Sequence, residues 1–125
     1  MKEDGTFDGL RTASLTAVAG HWAVHPDTAR RLLRAQGAAP VGGRRRWAWD
    51  DVWRAEGLAR VHPMDRAALR RPLLTAEACA ARDPLARSVR SWRRYLAEAR
   101  LPVVRLDPAI RRVREGDLAD WAERV

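Results

Sequence analysis

The chain repeats itself, and the repeat limits its fold more than any other feature. One pass begins Leu15-Thr16-Ala17 and a second begins Leu74-Thr75-Ala76. Such self-similarity means one supersecondary unit built twice. Each Thr stands where it can cap a short Ala-rich helix, expected over residues 17–22 and 76–82. A second, Arg-rich helix follows each. In the first pass it opens at His25-Pro26-Asp27, with Pro suited to the first turn and Asp complementing the helix dipole. Ala29, Leu32 and Leu33 then share one face. Thr28, Arg31 and Arg34 share another, with Arg30 at the boundary. In the second pass Asp83-Pro84 gives a capping signal, and Leu85, Val89, Trp92 and Leu96 follow at helical spacing. Arg87, Arg90, Ser91 and Arg94 are left facing outward.

A short β-hairpin is expected next. In the first pass Ala39-Pro40-Val41 runs into a Gly42-Gly43 turn and returns through Arg44 to Trp49. In the second, Leu101 to Leu106 turns at Asp107-Pro108-Ala109 and returns through Ile110 to Arg114. A closing helix ends each unit, one capped by Asp50 and carrying Val52 and Trp53, the other carrying Leu118 and Trp121. The pattern predicts a mainly α fold with small β-hairpin wings. It divides the chain into a flexible N-terminus over 1–12, a first unit over 13–57, a linker over 58–72 and a second unit over 73–125. Units of about 50 residues are marginal as independent cores, so some packing between units or linker is expected. The six tryptophans each bring a large apolar area to that packing.

Charge points to a partner. Lys and Arg number 24 against 16 Asp and Glu, a formal net charge of +8, and Lys2 is the only lysine. That balance favours polyanions. From Thr28 to Trp49 there are six arginines and no acid; from Pro84 to Arg114 there are nine, against Glu98 and Asp107. Each window spans one basic helix and its hairpin.

Other chemistries find little. His21 and His25 stand four apart, but a turn is expected between them and no third metal ligand is evident. Asp50-Asp51 reads as a helix cap, and Cys79 as a small core residue. Trp47, Trp49, Trp92 and Trp121 could stack on unpaired bases, but their positions suit packing better. No catalytic triad order, phosphate-binding glycine loop or zinc spacing occurs. The expectation is a protein without enzymatic activity, cofactor or metal. A lone cysteine allows no internal disulfide and suits a reducing cytoplasm. The longest uncharged run, residues 12–24, is too short to span a bilayer, and the opening Lys2-Glu3-Asp4 is wrong for a secretory signal. A soluble, cytoplasmic protein with no membrane partner is expected.

Two stretches carry a resemblance: LTAVAGHWAVHPDTARRLLRAQGAAPVGGRRRWAWDDVWRAEG and LTAEACAARDPLARSVRSWRRYLAEARLPVVRLDPAIRRVREGDLADWAERV. Together they cover about three quarters of the chain and resemble the MerR and excisionase class of winged helix-turn-helix domains, in two tandem copies. The series SVRSW, LPVVRL and RRVREGDLADW is the more specific match. The resemblance implies sequence-specific binding of double-stranded DNA, with the second helix of each unit in the major groove. Thr28 and Arg31 are then expected at base edges, with Arg87, Ser88 and Ser91 as their counterparts. Arg30, Arg34, Arg90 and Arg94 are expected at phosphates. Arg44, Arg45, Arg46, Arg105, Arg111 and Arg112 are expected on the wings, along the backbone or in the minor groove. The implied job is an excisionase-type recombination directionality factor of a phage or mobile element that bends DNA, with an integrase as partner. The alternatives are a small transcriptional regulator working with RNA polymerase, a terminase-small-subunit-like packaging adaptor, or a protein-interaction module. The chain is expected to be a monomer off DNA that assembles cooperatively on it.

Overall fold

The computed structural model describes residues 11–43 and 45–124. They are mainly helical, with two small two-stranded antiparallel sheets. Strand β1, Thr12–Ser14, leads directly into helix α1, Leu15–Trp22. Ser14, rather than Thr16, caps α1: its Oγ accepts the Ala17 N–H at 3.1 Å. Ser14 has the extended backbone a cap needs, so Thr16 becomes an exposed residue of the first turn. Ala23 ends α1 in the left-handed conformation (φ 55°). Helix α2, Pro26–Ala35, starts after a short turn, with His25 Nδ1 accepting the Asp27 N–H at 3.1 Å. Ala29, Leu32 and Leu33 are buried, as their spacing predicts.

The hairpin expected in the first unit does not form. Val41–Gly43 is a tight turn with Gly42 left-handed (φ 56°), and strand β2, Arg46–Ala48, pairs with β1 instead. Pro40 has no N–H to offer a partner strand, and Val41 stays exposed. By contrast, Ala13 and Trp47 face each other in the β1–β2 register and both are buried. Arg46 fastens the pair: its Nε and Nη2 donate to Thr12 Oγ1 and Thr12 O at 2.8 and 2.9 Å. Thr12 therefore belongs to the fold rather than to a flexible N-terminus; residues 1–10 lie outside the described residues. Helix α3, Trp49–Ala55, follows at once. Its cap position is Ala48, without a side-chain bond, so Asp50 is a first-turn residue and not the expected cap.

The linker is packed. Pro63–Asp65 forms a 3₁₀ turn and Arg66–Leu69 a short helix, α4. Leu58, Val61 and Leu69 lie against the first core, and the Trp53 indole donates to Leu69 O at 3.0 Å.

The second unit repeats the two-helix start with α5, Ala76–Arg82, and α6, Val89–Ala97, then forms the hairpin that the first lacks, β3, Val104–Asp107, and β4, Ile110–Arg112, before α7, Glu115–Arg124. Thr75 caps α5 as expected, accepting the Ala78 N–H at 3.1 Å. Helix α6 starts later than the Asp83-Pro84 signal suggests. The Asp83 carboxylate takes the N–H groups of Leu85 and Arg87 (2.9 and 3.2 Å), and Ala86 turns left-handed. Ser88 then caps α6, its Oγ accepting the Ser91 N–H at 3.1 Å. Leu85 falls outside the apolar stripe and is 60% exposed. An isolated bridge, Leu74 to Val113, stands where Ala13 pairs with Trp47 in the first unit.

Asp83 also accepts the buried Trp92 indole at 2.9 Å. Burial alone would raise its carboxyl. Hydrogen bonds from Leu85 N, the Trp92 indole and Arg87 N, with the Arg87 charge, outweigh that and hold it below the ordinary value of 3.8. Asp83→Asn removes one acceptor oxygen and is expected to cost about 1–3 kcal/mol at neutral pH. A folded value below the unfolded one means the contribution is complete above about 3.8 and is lost as pH falls toward the depressed value. Denaturant titrations of both proteins should differ at pH 7 and converge in strong acid; a difference independent of pH would contradict this account.

The two units share one packing. Leu73 and Val104 are buried in the first unit's core, with Leu106 and Ile110 against it. The exposed end of α1 is closed by the second unit. His21 O accepts the Leu73 N–H at 2.8 Å. Arg112 donates from Nε to Trp22 O and from Nη2 to Ala23 O, both at 2.8 Å. These are carbonyls a helix end leaves unpaired. The second hairpin thus lies against the turn between α1 and α2.

Candidate nucleic-acid interface

Helix α2 exposes three of its expected contacts. Arg30, Arg31 and Arg34 are on the surface and Thr28 is half-buried. They stand there because Ala29, Leu32 and Leu33 turn the opposite face into the core. Arg30 has a long contact with Asp27, 3.4 Å. Arg31 Nη2 donates to Asp107 Oδ2, at the tip of the second hairpin, at 3.2 Å. Asp107 is itself fixed, because its Oδ1 accepts the N–H groups of Ala109 and Ile110 at 2.7 and 2.9 Å. Those bonds, led by Ala109 and helped by Arg31, hold its carboxyl below the ordinary range. Nothing in the sequence signalled this pairing, since Asp107 was legible only as a turn residue.

The remaining expected contacts of the first unit separate. Arg45 is exposed. Arg46 is half-buried and committed to Thr12, so it fastens strands rather than facing a ligand. Arg44 lies outside the described residues. Arg30, Arg34 and Arg45 converge on an open groove of about 620 Å³, bordered by Ser14, Thr16 and Trp47. Among the described residues, no carboxylate pairs with Arg34 or Arg45. Sequence reading missed Ser14 and Thr16 here, because their closeness to α2 depends on the angle between the helices.

On α6, Arg90 and Arg94 are exposed and Ser91 is half-buried. Ser88 and Ser91 bond to each other at 3.1 Å while Ser88 caps the helix. Arg87, before the helix, is half-buried. Its guanidinium lies 4.7 Å from the Trp121 ring centre, with Nε 3.5 Å from Asp83. That stacked position suits a wall of the site better than a base-reading finger. On the hairpin, Arg105 is exposed and Arg111 half-buried. Arg112 has its guanidinium on three backbone carbonyls, those of Trp22, Ala23 and Arg111. The expectation of Arg112 on a free wing is replaced by a clamp between units.

His21, His25 and Cys79 are engaged within the fold. His21 is buried on Glu56, Nε2 to Oε2 2.7 Å, and His25 caps α2. Cys79 is buried, and burial pushes its thiol up to about 11. Among the described residues no cluster of three potential metal ligands occurs, and no helix is long and apolar enough to cross a membrane.

Compared with known proteins, the chain matches no family model, and no curated protein or solved structure is significantly similar to it.

Proposed function

We propose that the chain is a sequence-specific double-stranded DNA-binding protein made of two tandem helix-turn-helix units, the second of which carries a hairpin wing, with no catalytic activity of its own. One observation carries the reading. Each unit pairs a short capped helix with a second helix that buries its apolar stripe and leaves arginines on the surface. Arginine suits both phosphates and guanine edges. Arg31, with one edge of its guanidinium held by Asp107, is the base-reading candidate. Arg30, Arg34, Arg45, Arg90, Arg94 and Arg105 are the backbone candidates.

The direct test is duplex titration at several salt concentrations. With about five or six phosphates neutralised, log K is expected to fall with log salt at a slope of about −5. No binding at low salt would refute the reading, and preference for single strands would move it to base stacking. Roles separate by mutation. Arg31→Ala is expected to relax sequence preference by about 1–3 kcal/mol at one base pair. Arg45→Ala should weaken all sequences alike. Identical selected-site profiles for the two variants would overturn these assignments.

Within DNA binding, an excisionase-type directionality factor is the first reading. The units are packed against each other, so the protein sets the spacing of its two basic helices. A duplex touching both must adapt to that spacing, which favours bending. Energy transfer between labelled duplex ends would measure it. A bent duplex with integrase-dependent excision supports the directionality factor; a straight one with promoter repression supports a regulator.

A further inference from the structure

We propose that the two units grip DNA unequally: the groove of Arg30, Arg34 and Arg45 is the principal clamp on duplex phosphates, and the positive field of the corresponding groove in the second unit is weakened from within by Glu77. The inference rests on the duplex-binding reading and adds which half of the protein holds the backbone.

The correspondence follows from the repeat. Ser14 and Thr75 are the caps of α1 and α5, and four residues on, Val18 and Cys79 are both fully buried. Ala29, Leu32 and Leu33 on α2 match Trp92, Tyr95 and Leu96 on α6. The pair Ala13–Trp47 matches Leu74–Val113. Thr16 therefore corresponds to Glu77, Arg30 to Arg93, Arg34 to Ala97 and Arg45 to Arg111. A groove of about 420 Å³ opens in the second unit beside Thr75, Glu77, Arg93 and Arg111, the positions that match the first.

The fold is shared but the charge is not. In the first groove three guanidiniums meet and the exposed position after the cap is the neutral Thr16. In the second, Glu77 stands there and accepts from Arg93 Nη2 at 3.1 Å. Its carboxyl is held below the ordinary value by its backbone hydrogen bond first and Arg93 next, so it stays charged at neutral pH. Ala97 removes a second cation, and Arg112, which also lines the groove, is spent on carbonyls of the first unit. A phosphate entering the first groove meets Arg34 and Arg45, which no carboxylate pairs among the described residues, and Arg30, whose contact with Asp27 is a long 3.4 Å. One entering the second meets the Glu77 carboxylate beside its paired Arg93, with Arg111, among the described residues, as the one remaining cation that neither Glu77 nor the first unit's carbonyls engage. Exposed pairs of this kind add little stability, so Glu77 acts chiefly on the field a ligand meets.

The test exchanges the two positions in the full chain and titrates a duplex across salt. Thr16→Glu is expected to weaken binding about tenfold or more near 0.1 M salt and to make the salt slope shallower by about one to two. Glutamate in a first helical turn is favourable, so the loss would not reflect unfolding, and an unchanged thermal midpoint verifies that. Glu77→Thr should strengthen binding several-fold with the same sequence profile. Arg34→Ala should lose about as much as one phosphate contact, while Arg93→Ala should stay within about twofold of the native chain. Equal losses from Arg34→Ala and Arg93→Ala, or native affinity in Thr16→Glu, would overturn the inequality and leave duplex binding standing. A native chain that binds no duplex would overturn both.

Discussion

A chain ended after Gly57 is expected to show no cooperative unfolding transition, although it keeps every element of the first unit. Three consecutive backbone carbonyls at the end of α1, those of His21, Trp22 and Ala23, receive their donors from Leu73 and Arg112. Glu56 would lose Arg114, which donates to its Oε1 at 3.0 Å. The core would lose buried Leu73 and Val104, with Leu58, Val61, Leu69, Leu106 and Ile110 from its rim. Each carbonyl stripped of its donor costs about 1–3 kcal/mol where water cannot replace it. Each fully buried aliphatic side chain contributes about 1.5–3 kcal/mol. Against a net stability of about 5–15 kcal/mol for a whole domain, these losses are decisive. Calorimetry or circular dichroism decides it: one sharp transition for the full chain, a shallow drift for the fragment. A sharp transition in the fragment would show that the first unit stands alone. Arg112→Ala isolates part of the effect and should cost about 2–4 kcal/mol, since two of its three carbonyls lie across the boundary.

The parts of the protein governed by neighbours in sequence were legible beforehand. Helix α2 declares itself by the spacing of Ala29, Leu32 and Leu33, and the same spacing puts Arg30, Arg31 and Arg34 on the surface. Thr75 could be seen as a cap because its acceptor and donor are three residues apart. Structure and sequence pattern part where two local signals compete. Ser14 and Thr16 both suit a cap, and β1 decides for Ser14 by fixing its extended backbone. Asp83-Pro84 and Ser88 both suit the start of α6, and the buried Trp92 indole draws Asp83 into the turn instead. What no local pattern carried was the approach of the halves. The β1–β2 pairing joins segments more than thirty residues apart, and the contacts of Arg112 and Arg31 cross from one unit to the other. Arginines that look alike in sequence therefore divide into those facing outward and those holding the protein together.

Glu56 also holds the protein together, and Glu56→Ala is expected to destabilise the protein by about 3–5 kcal/mol. Its carboxylate is fully buried and gathers donors from both units. The His21 ring donates from Nε2 at 2.7 Å, the Trp22 indole at 2.9 Å and Arg114 Nη2 at 3.0 Å. A carboxylate oxygen accepts, so the pairing places an N–H on His21 Nε2. Removing the carboxylate leaves the fully buried Trp22 N–H without an acceptor and the half-buried Arg114 charge without its counter-ion. Arg114 Nε already has no partner among the described residues, so the guanidinium has little to fall back on. In a chain of this size the loss corresponds to a fall in Tm of about 10–20 °C. Glu56→Gln keeps the shape and one acceptor and should lie between the native chain and Glu56→Ala. The double variant Glu56→Leu with Arg114→Met removes both charges and should recover the part of the loss that comes from stranding Arg114, while the Trp22 N–H and His21 stay without their acceptor. Thermal unfolding of the single and double variants gives the coupling directly. A single-variant loss below about 1 kcal/mol, or a double variant no better than Glu56→Ala, would show that the carboxylate does not join the two units.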